Sequence, residues 1–375
     1  MINIFQPNLG PEELAAVQSV FESNWVGKGK VTEQFEVHFA THLGVERRLI
    51  RSVSCCTEGM FQAMTLLNVG RGDEVILPTI SFVGAANAVL SCGASPVFCD
   101  VDGRTLNPTA RHLEERISPR TKAVLILHYG GVPCEMDEIC SLLRSKRIAL
   151  IEDSACSVAS RYKGKACGTF GDIGVWSFDA MKILVTGDGG MIYCRTPEMA
   201  RRVEELVYLG LATESGLSSA AESKWWEFEI SCSGRRAIMN DISSAIGIEQ
   251  LKKLPKFIAR RKEIHERYTE GLSKIDWLRL PPEPPPQNES SYYFYWIQTK
   301  TQIRDDLARY LRGKGIYTTF RYYPLHWVKC YGANVNLPNS EEAAQTTLCI
   351  PIHQSLTTQE VDKVIDCISE FQKAI

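Results

Sequence analysis

The 375-residue sequence has no apolar stretch of the roughly 18 to 20 residues that a membrane-spanning helix requires. It also lacks any block of basic residues, and its formal net charge is only −2. Because nucleic acids and anionic membrane surfaces attract clustered positive charge, neither is expected as a partner. The first residues lack the basic and apolar regions of a secretory signal, so the sequence predicts a cytoplasmic protein.

Cysteine is abundant, but its spacing does not suit metal binding. The 13 cysteines include no C-x2-C pair, and the adjacent residues Cys55 and Cys56 cannot sensibly bind one ion together. The odd number of cysteines, and the position of most of them inside predicted strands and helices, also argues against a disulfide framework. Free thiols in a reducing cytoplasm are the better interpretation, and no metal site is expected.

The length and composition indicate a globular protein with two domains. Apolar residues make up 44% of the chain and charged residues 23%, which is ordinary for globular proteins. A chain of this length is long for a single hydrophobic core. We therefore expect a large domain at residues 1–250 and a small domain at residues 251–375.

Apolar runs alternate with helical patterns through the first half of the chain. Such alternation predicts an α/β domain with a mainly parallel sheet, helices on both faces and ligands at the carboxyl ends of the strands. Leu14, Val17 and Phe21, for example, mark the apolar face of a helix that should end near Ser23. Further helices are expected at 35–43, 60–67, 108–117, 135–145 and 196–211, and strands at 49–53, 74–77, 96–99, 122–127, 147–151 and 173–178.

The second half predicts a smaller α+β domain that follows a polar insertion. The insertion, 212–236, is rich in serine and carries Trp225 and Trp226. A long helix should end around Leu272, and the proline-rich segment 281–286 indicates a linker or edge loop. Beyond it, strands are expected at 292–299 and 316–321, and helices at 305–311 and 361–371.

Two side chains with complementary chemistry follow predicted strands. Asp153 ends one apolar run, and Lys182 follows the run 173–178 and precedes a glycine-rich segment. A lysine can bind the aldehyde of pyridoxal phosphate covalently, and an aspartate can keep its pyridine nitrogen protonated so that the ring accepts electrons. Taken singly, an aspartate at a strand end and a lysine in a loop are both commonplace, so this pairing alone is weak evidence.

The residues around this pair resemble the DegT/DnrJ/StrS family of sugar aminotransferases, which are relatives of aspartate aminotransferase. The family's IEDAAQA, GDIGxFSF and TGEGG segments correspond to Ile151–Ser157, Gly171–Phe178 and Thr186–Gly190, and its lysine corresponds to Lys182. Order, spacing and identity fit together, and the resemblance extends from about Pro7 to the C-terminus. It implies the aspartate aminotransferase-like fold, which is fold type I of the pyridoxal phosphate enzymes.

The resemblance also implies pyridoxal phosphate as cofactor and assigns residues to it. Lys182 would be the nucleophile and general base, Asp153 would hold the pyridine nitrogen, and Phe82 would lie against the ring. The phosphate would contact Thr57, the amide of Glu58 and Ser177; the first two lie at a predicted helix N-terminus, which suits an anion.

Three cofactor positions depart from the family pattern. Cys56 replaces the glycine of the phosphate turn, which puts the geometry of that turn in doubt. Cys156 replaces the glutamine or histidine that relatives place against the cofactor's phenolic oxygen, so this contact is missing or made by another group. Arg236 stands about where relatives carry an asparagine that reaches the phosphate of the neighbouring subunit, although an arginine in a loop facing water is an equally good interpretation.

Two segments resemble the parts of the family that line the substrate side. One is the loop containing Trp25, Gly27 and Lys28, which could also be a plain glycine turn. The other runs from Arg321 to His326, where the family has a His-Tyr-x-Pro-x-His segment, so Arg321 replaces the first histidine.

Together, the residues and the resemblance predict a homodimeric, pyridoxal-phosphate-dependent aminotransferase with active sites shared between subunits. Glutamate is the expected amine donor, and the expected acceptor is a nucleotide-linked ketosugar, an NDP-4-keto-6-deoxyhexose, in amino-sugar biosynthesis. A 3-ketosugar aminotransferase or a sugar dehydratase of the same family is an alternative, but the dehydratases carry histidine in place of Lys182. A non-catalytic nucleotide-sugar-binding or regulatory protein is a further alternative, which the retained Asp153 and Lys182 disfavour.

Overall fold

The structure, a computed structural model, describes residues 1–211 and 229–372. Most of the predicted insertion, including Trp225 and Trp226, lies outside the described residues. In the two described segments, no helix has the length and apolar character needed to cross a membrane.

Helices and strands alternate along the first half of the described chain, as predicted. The helices are α1 Pro11–Glu22, α2 Lys30–Leu43, α3 Cys56–Leu66, α4 Val83–Ser91, α5 Ala110–Glu114, α6 Met136–Lys146, α7 Pro197–Val207, α8 Asp241–Leu272, α9 Thr301–Gly313, α10 Pro338–Thr346 and α11 Thr358–Gln372. The strands are β1 Ile50–Val53, β2 Glu74–Pro78, β3 Ser95–Cys99, β4 Thr121–Leu127, β5 Ala149–Asp153, β6 Arg161–Tyr162, β7 Lys165–Ala166, β8 Ile173–Ser177, β9 Gly190–Cys194, β10 Asn288–Glu289, β11 Tyr295–Gln298 and β12 Thr347–Ile350.

Seven strands form the central sheet in the order β1-β9-β8-β5-β4-β2-β3. The pairs β2–β3, β2–β4, β4–β5 and β5–β8 are parallel, and β9 runs antiparallel between β1 and β8. The prediction of a mainly parallel sheet is therefore confirmed. Because the parallel strands share one direction, their carboxyl ends meet at one edge of the sheet.

Both faces of the sheet are covered, and the alternation of side chains along β4 shows this. Val124 and Ile126 pack in a cluster with Ile139 of α6, whereas Ala123 and Leu125 pack in a different cluster that includes residues of α3 and α4. Successive strand residues point to opposite faces. The continuous apolar character of β4 thus reflects burial on both sides.

A separate hydrophobic cluster forms the core of the C-terminal part. The second half of α8 contributes Ile264, Tyr268 and Leu272, which pack with residues of β11, β12, α9 and α11. Ile2 joins the same cluster, and its backbone N–H donates to the carbonyl of Gly315 at 2.8 Å. The expected domain boundary at residues 250 and 251 lies inside α8, which runs unbroken from one core to the other.

Several elements differ from the prediction. The predicted strand at 316–321 is wrong, because this segment makes only isolated bridges, at Ile316 and Thr319. Helix α7 ends at Val207 instead of 211, since Leu209 and Gly210 adopt positive φ and turn the chain. The strands β9 and β12 and the helix α10 were not predicted.

Helix α1 forms where predicted, but residues 1–211 and 229–372 leave much of its apolar stripe exposed. Leu14 is 72% exposed and Phe21 is 60% exposed, whereas Glu13 and Val20 are buried. Glu13 is buried because it pairs with Lys253 of α8 at 2.7 Å and accepts a hydrogen bond from Gln250. The helix therefore packs on α8 through a polar contact and presents apolar side chains outward.

Candidate active site

The candidate site lies at the carboxyl edge of the parallel strands, where Asp153 ends β5. Its neighbour Glu152 is also a buried carboxylate, and the two point to opposite faces of the sheet. Glu152 accepts three backbone hydrogen bonds, from Gly168, Phe170 and Gly171, and contacts His128 at 3.1 Å. Glu152 is fully satisfied by the fold, so we assign it a structural role.

Asp153, in contrast, is only partly satisfied. One carboxylate oxygen, Oδ1, accepts a hydrogen bond from the Ala155 backbone at 3.0 Å, whereas Oδ2 is buried without a hydrogen-bond partner in the described chain. Burial raises the pKa of Asp153 to about 6, although the Ala155 N–H and the charge of Lys182 act in the opposite direction. A buried carboxylate with a free oxygen is suited to bind a protonated nitrogen of a ligand.

Lys182 is held in the loop between β8 and β9. The loop is closed by hydrogen bonds from the Lys182 backbone to the Asp179 carbonyl and from Thr186 to the Phe178 carbonyl. Gly187, with φ +89°, makes the turn back to β9, a conformation that favours glycine. These contacts fix the start of the lysine side chain beside the end of β8.

The Lys182 ammonium group faces ionisable side chains. Its Nζ lies 3.4 Å from the hydroxyl of Tyr293 and 5.0 Å from the centre of that ring. Burial works to lower the pKa of Lys182, but the neighbouring Tyr293, Cys156, Cys56 and Asp153 outweigh it, so the pKa is raised. In the free protein, Lys182 is therefore protonated beside the Asp153 carboxylate.

The predicted phosphate turn is the N-terminus of α3. Cys55 is the N-cap residue, and its sulfur accepts a long hydrogen bond, 3.4 Å, from the Glu58 backbone. Gly190 packs against this turn so closely that a Cβ atom there would lie 2.7 Å from the Cys56 nitrogen. Since Gly190 pairs with Ser177 in the sheet, the structure brings Ser177 to the same helix terminus.

Phe82 adjoins the same turn. It is the N-cap residue of α4 and remains 44% exposed. A Cβ placed on Gly84 would lie 3.1 Å from the Phe82 ring and 3.2 Å from the Thr57 methyl, so Gly84 keeps these two side chains close together. On its other side, the Phe82 ring is 6.2 Å from that of Tyr322, centre to centre.

Cys156 lies in the buried part of the site. Burial raises the pKa of its thiol, which therefore stays protonated, and its sulfur lies 3.5 Å from the hydroxyl of Tyr322. Asp153 and Lys182 both act electrostatically on this thiol, which places Cys156 beside the predicted catalytic pair. The sequence reasoning missed Tyr293, and it gave no role to Tyr322 within the selected segment Arg321–His326, because no local pattern links these tyrosines to residues more than 100 positions earlier.

The segment from Arg321 to His326 has a side chain with few hydrogen-bond partners at its start and a fully hydrogen-bonded one at its end. The Arg321 guanidinium stacks over Phe5 at 5.1 Å and donates to the sulfur of Met181 at 3.6 Å, while its Nε is buried with no partner among residues 1–211 and 229–372. His326 is buried, and its two ring nitrogens contact Thr79 at 2.7 Å and Glu341 at 3.2 Å. Arg321 keeps free donors, whereas His326 is engaged within the chain.

The loop that carries Trp25, Gly27 and Lys28 is anchored to the start of α8. Trp25 is 59% exposed, and its indole N–H donates to the Lys28 carbonyl at 3.0 Å. The backbone N–H of Asp241 donates to the Gly27 carbonyl at 2.9 Å, and its carboxylate accepts from Gly29. These bonds hold the loop against the first turn of α8.

Two adjacent arginines precede α8, and they have different surroundings. Arg236 is exposed and lies over the ring of Tyr208 at 5.2 Å. Arg235 contacts Glu58 of the phosphate turn at 3.0 Å and stacks over Phe61. Sequence reasoning selected Arg236 and missed Arg235, whose link to the turn depends on contacts across more than 170 residues.

The residues of the site fit pyridoxal phosphate. Asp153 offers an unpaired buried oxygen for a pyridine nitrogen, Lys182 offers an amine for an aldehyde, and the helix terminus at Thr57 offers an anion site. No cluster of His, Cys, Asp and Glu side chains in the described ranges has the arrangement of a metal site.

Comparisons with known proteins agree with this chemistry. The DegT/DnrJ/EryC1/StrS aminotransferase family matches residues 7–369. A dTDP-4-dehydro-2,3,6-trideoxy-D-glucose 4-aminotransferase from Saccharopolyspora spinosa is 52% identical over 376 residues, which cover 100% of this chain and 97% of that protein.

Solved structures share the fold over the whole chain. The aminotransferase TlmJ from Streptoalloteichus hindustanus has 55% identity and a TM-score of 0.95, with 100% of this chain and 99% of that chain covered. The sugar aminotransferase CalS13 from Micromonospora echinospora has 26% identity and a TM-score of 0.90, with 99% and 100% covered. The expected fold is thus confirmed, and the chain belongs to the DegT/DnrJ/EryC1/StrS aminotransferase family.

Proposed function

We propose that this protein is a pyridoxal-phosphate-dependent aminotransferase that transfers an amino group from L-glutamate to a nucleotide-linked 4-keto-6-deoxyhexose in amino-sugar biosynthesis. The observation that carries the proposal is the 52% identity, along the whole chain, to an enzyme named for 4-amination of a dTDP-linked 4-dehydro sugar. The site supports it independently, because Asp153 and Lys182 provide the two groups that the cofactor requires.

When bound, pyridoxal phosphate supplies an aldehyde that reacts with amines and a ring that accepts electrons. Asp153 would hold a proton on the pyridine nitrogen through its free oxygen Oδ2. Thr57, the Glu58 amide and Ser177 would bind the phosphate at the N-terminus of α3, where backbone N–H groups lack helical partners. Phe82, which is exposed at the open side of the site, would contact the ring.

Lys182 has two roles in the proposed reaction. With the cofactor bound, its Nζ would serve as the nucleophile towards the aldehyde and, as a free amine, as the general base that moves the substrate's proton. The hydroxyl of Tyr293, 3.4 Å away, keeps the released amine near this position. Because Lys182 must act as a free base, its raised pKa in the empty protein has to fall when the cofactor is bound.

The substrates enter beside two segments that carry uncommitted groups. Arg321 has a buried Nε without a partner in the described chain, and a guanidinium with free donors suits a carboxylate or a phosphate. Trp25, Gly27 and Lys28 form the second segment, where an exposed indole and a cation can receive the nucleotide sugar. His326 contributes indirectly, by tying its segment to Thr79 at the end of β2.

A homodimer is part of the proposal, with one large and one small domain in each subunit. The apolar side chains Leu14, Phe21 and Trp25 are exposed on α1 and the loop that follows it. Exposed large apolar side chains on neighbouring elements favour an interface with a second copy of the chain. In the dimer, Arg236 reaches the phosphate of the partner's site, and its exposure in the single chain leaves it free to do so. The 13 free thiols support a cytoplasmic location.

The alternatives differ in the carbon that reacts and in the reaction itself. Lys182 stands where a dehydratase of this family has histidine, so dehydration is disfavoured. Amination at carbon 3 would use the same protein groups as amination at carbon 4, so only the product distinguishes the two reactions. A purely binding protein would have no use for a lysine beside a partly unsatisfied buried aspartate, whose burial costs free energy.

The test is a substrate panel with product analysis. The purified protein with pyridoxal phosphate and glutamate is offered dTDP- and UDP-linked 4-keto and 3-keto sugars, and the formation of 2-oxoglutarate is followed together with the mass and NMR spectrum of the sugar. We expect amination at carbon 4. Amination at carbon 3 would change the proposed substrate to a 3-keto sugar. Binding of the sugars without formation of 2-oxoglutarate would refute the proposal that the protein is an enzyme.

A further inference from the structure

The three anchors of the proposed cofactor site leave one polar atom of the ligand without a partner. Asp153 takes the pyridine nitrogen, Lys182 takes the aldehyde carbon, and the α3 terminus takes the phosphate. The phenolic oxygen of pyridoxal phosphate is next to the aldehyde carbon, on the side of the ring away from the phosphate arm. A residue that binds this oxygen must therefore lie near Lys182, away from the α3 terminus.

Two groups occupy that region, the thiol of the buried Cys156 and the hydroxyl of the half-buried Tyr322. They lie 3.5 Å apart, and both interact electrostatically with Asp153. The Tyr322 ring also faces Phe82, which lines the open side of the site, at 6.2 Å. The hydroxyl thus lies close to the aspartate, and its ring adjoins the space that a flat ligand would fill.

We propose that the hydroxyl of Tyr322 donates a hydrogen bond to the phenolic oxygen of the bound cofactor, and that Cys156 only positions this tyrosine. The inference rests on the proposed function, since it concerns the same cofactor. It assigns to this chain a cofactor-binding residue far from the family's aspartate and lysine segments.

The neighbouring tyrosines show why Tyr322 is the suitable donor. The hydroxyl of Tyr129 donates to the carbonyl of Arg321, and that of Tyr293 donates to the carbonyl of Met181 at 3.2 Å. In the described chain, the hydroxyl of Tyr322 contacts only the sulfur of Cys156, which is a weak acceptor. Of these three hydroxyls, that of Tyr322 alone has its proton available for a ligand.

The chemistry of the two side chains also favours Tyr322 over Cys156 as the hydrogen-bond donor to the phenolic oxygen. A thiol is a weak hydrogen-bond donor, whereas a phenol donates strongly to an anionic oxygen. Burial raises the pKa of Tyr322 well above its ordinary value, so the hydroxyl keeps its proton over the working pH range. The ring is fixed by Phe294 at 6.2 Å and Tyr129 at 6.4 Å, which hold the donor in place before the cofactor arrives.

The test is Tyr322→Phe, which keeps the ring and removes the donor. Two properties of the bound cofactor are measured: the pH midpoint of its visible absorbance change near roughly 410 to 430 nm, and its dissociation constant. Without the donor, the phenolic oxygen holds more negative charge and stabilises the protonated form of the chromophore. We expect the midpoint to rise by about one pH unit and the dissociation constant to increase about tenfold.

Two further variants make the test specific. Tyr323→Phe is the matched control, because Tyr323 is an exposed neighbour that stacks on Trp327, and it should change neither property. Cys156→Gln combined with Tyr322→Phe places an amide donor beside the lost hydroxyl and should return the midpoint towards its original value. Thermal melting of each apoprotein verifies that the variants are folded.

The outcomes separate this inference from the proposed function. A protein that binds the cofactor normally, but whose Tyr322→Phe variant keeps the original midpoint and affinity, would overturn the role of Tyr322. If Cys156→Ala instead produced both changes while Tyr322→Phe did not, the thiol would be the donor and the inference would be wrong. Failure of the unmodified protein to bind pyridoxal phosphate would refute the proposed function itself, and this inference with it.

Discussion

The two ends of the active site are built in different ways. The end around Asp153 and Lys182 is buried, and it is formed by strand termini and a closed loop of a single chain. The end around Thr57 and Glu58 is a partly exposed helix N-terminus, whose nearby cations are Arg235, paired with Glu58, and the exposed Arg236. In the proposed dimer, the first end is built by one subunit, and the second end is the part to which Arg236 of the other subunit would contribute.

The difference between the two ends predicts which residues affect the reaction and which affect the binding of the cofactor. At the buried end, each charge is costly unless it has a partner, so a single unpaired oxygen strongly favours one kind of ligand. At the exposed end, water weakens each interaction, so several contacts are needed for the same effect. Substitutions at the first end should therefore act on the reaction, and substitutions at the second should act on the affinity for the cofactor.

Lys182→Ala should have the largest effect and tests the buried end directly. It removes the amine that binds the aldehyde and moves the proton, so turnover should be abolished while the fold stays nearly intact. Glutamate-dependent 2-oxoglutarate formation measures the activity, and circular dichroism measures the fold. Lys163→Ala, which removes an exposed pair with Asp137 and a contact over the Tyr162 ring, is the control and should be fully active. Substantial turnover by Lys182→Ala would contradict the assignment.

Asp153→Asn should come next. A neutral amide still allows the cofactor to bind to Lys182 but cannot hold the pyridine nitrogen protonated, so proton removal should slow by roughly 10²-fold or more. Single-turnover measurements with excess enzyme isolate this step from product release. A rate close to that of the unmodified protein would show that another group protonates the nitrogen.

The same substitution should make the empty protein more stable. The folded pKa of Asp153 is raised from 3.8 to about 6, so its charge opposes folding as the pH rises from 3.8 through 6, by about 3 kcal/mol at completion. Asp153→Asn should therefore stabilise the apoprotein by up to about 3 kcal/mol at pH 8 and should have little effect below pH 4. Urea unfolding at the two pH values measures this difference.

Glu152→Gln should have the opposite effect on the stability of the apoprotein, and it serves as a comparison for Asp153→Asn. The Glu152 carboxylate accepts three backbone hydrogen bonds, so its loss should destabilise the apoprotein by roughly 1 to 3 kcal/mol. If both substitutions destabilised the protein at pH 8, the contrast between a satisfied and an unsatisfied carboxylate would be refuted.

Arg236→Ala should have the smallest effect, and it probes the exposed end. If Arg236 reaches the partner's phosphate, its removal should weaken cofactor retention by roughly 1.5 to 3 kcal/mol, the value for a hydrogen bond to a charged group. Equilibrium dialysis of the cofactor measures this loss. Arg235→Ala is the comparison, and it should weaken retention less because its charge is already paired with Glu58.

Mixing variants tests whether the sites are shared. A heterodimer of Lys182→Ala and Arg236→Ala subunits carries both lesions around one site and leaves the other site whole. At a cofactor concentration too low to fill the sites of the Arg236→Ala parent, activity should therefore return on mixing, and light scattering should show a dimer. A monomer in solution, or no rescue after proven subunit exchange, would contradict the shared site.

The sequence predicted the central sheet well because parallel strands buried on both faces are continuous apolar runs, as in 122–127 and 173–178. It missed β9 because that strand begins at Gly190, inside a glycine-rich segment typical of a loop. It predicted a strand at 316–321 from local pattern alone, and the structure provides only single bridges there. Pairing partners come from tertiary structure, which local patterns do not encode.

The site could be predicted as far as its local motifs extend. Asp153 and Lys182 lie in distinctive segments, and the structure adds the unpaired Oδ2 that those segments do not reveal. The contacts of Tyr293 with Lys182 and of Tyr322 with Cys156 join residues 111 and 166 positions apart. Spacing along the chain contains no information about such contacts, so only the folded structure identifies them.

Helix α8 couples two distant parts of the molecule mechanically. With 32 residues it is about 48 Å long, its first residue anchors the loop of Trp25, and its last turns belong to the C-terminal core. Pro255 removes one hydrogen bond inside the helix, the place where a bend costs least. For a straight rod of this length, a tilt of about 5° at one end displaces the other by about 4 Å. A small rotation of the C-terminal core that α8 transmits without bending would thus be amplified at the loop of Trp25, whereas a bend at Pro255 would absorb it.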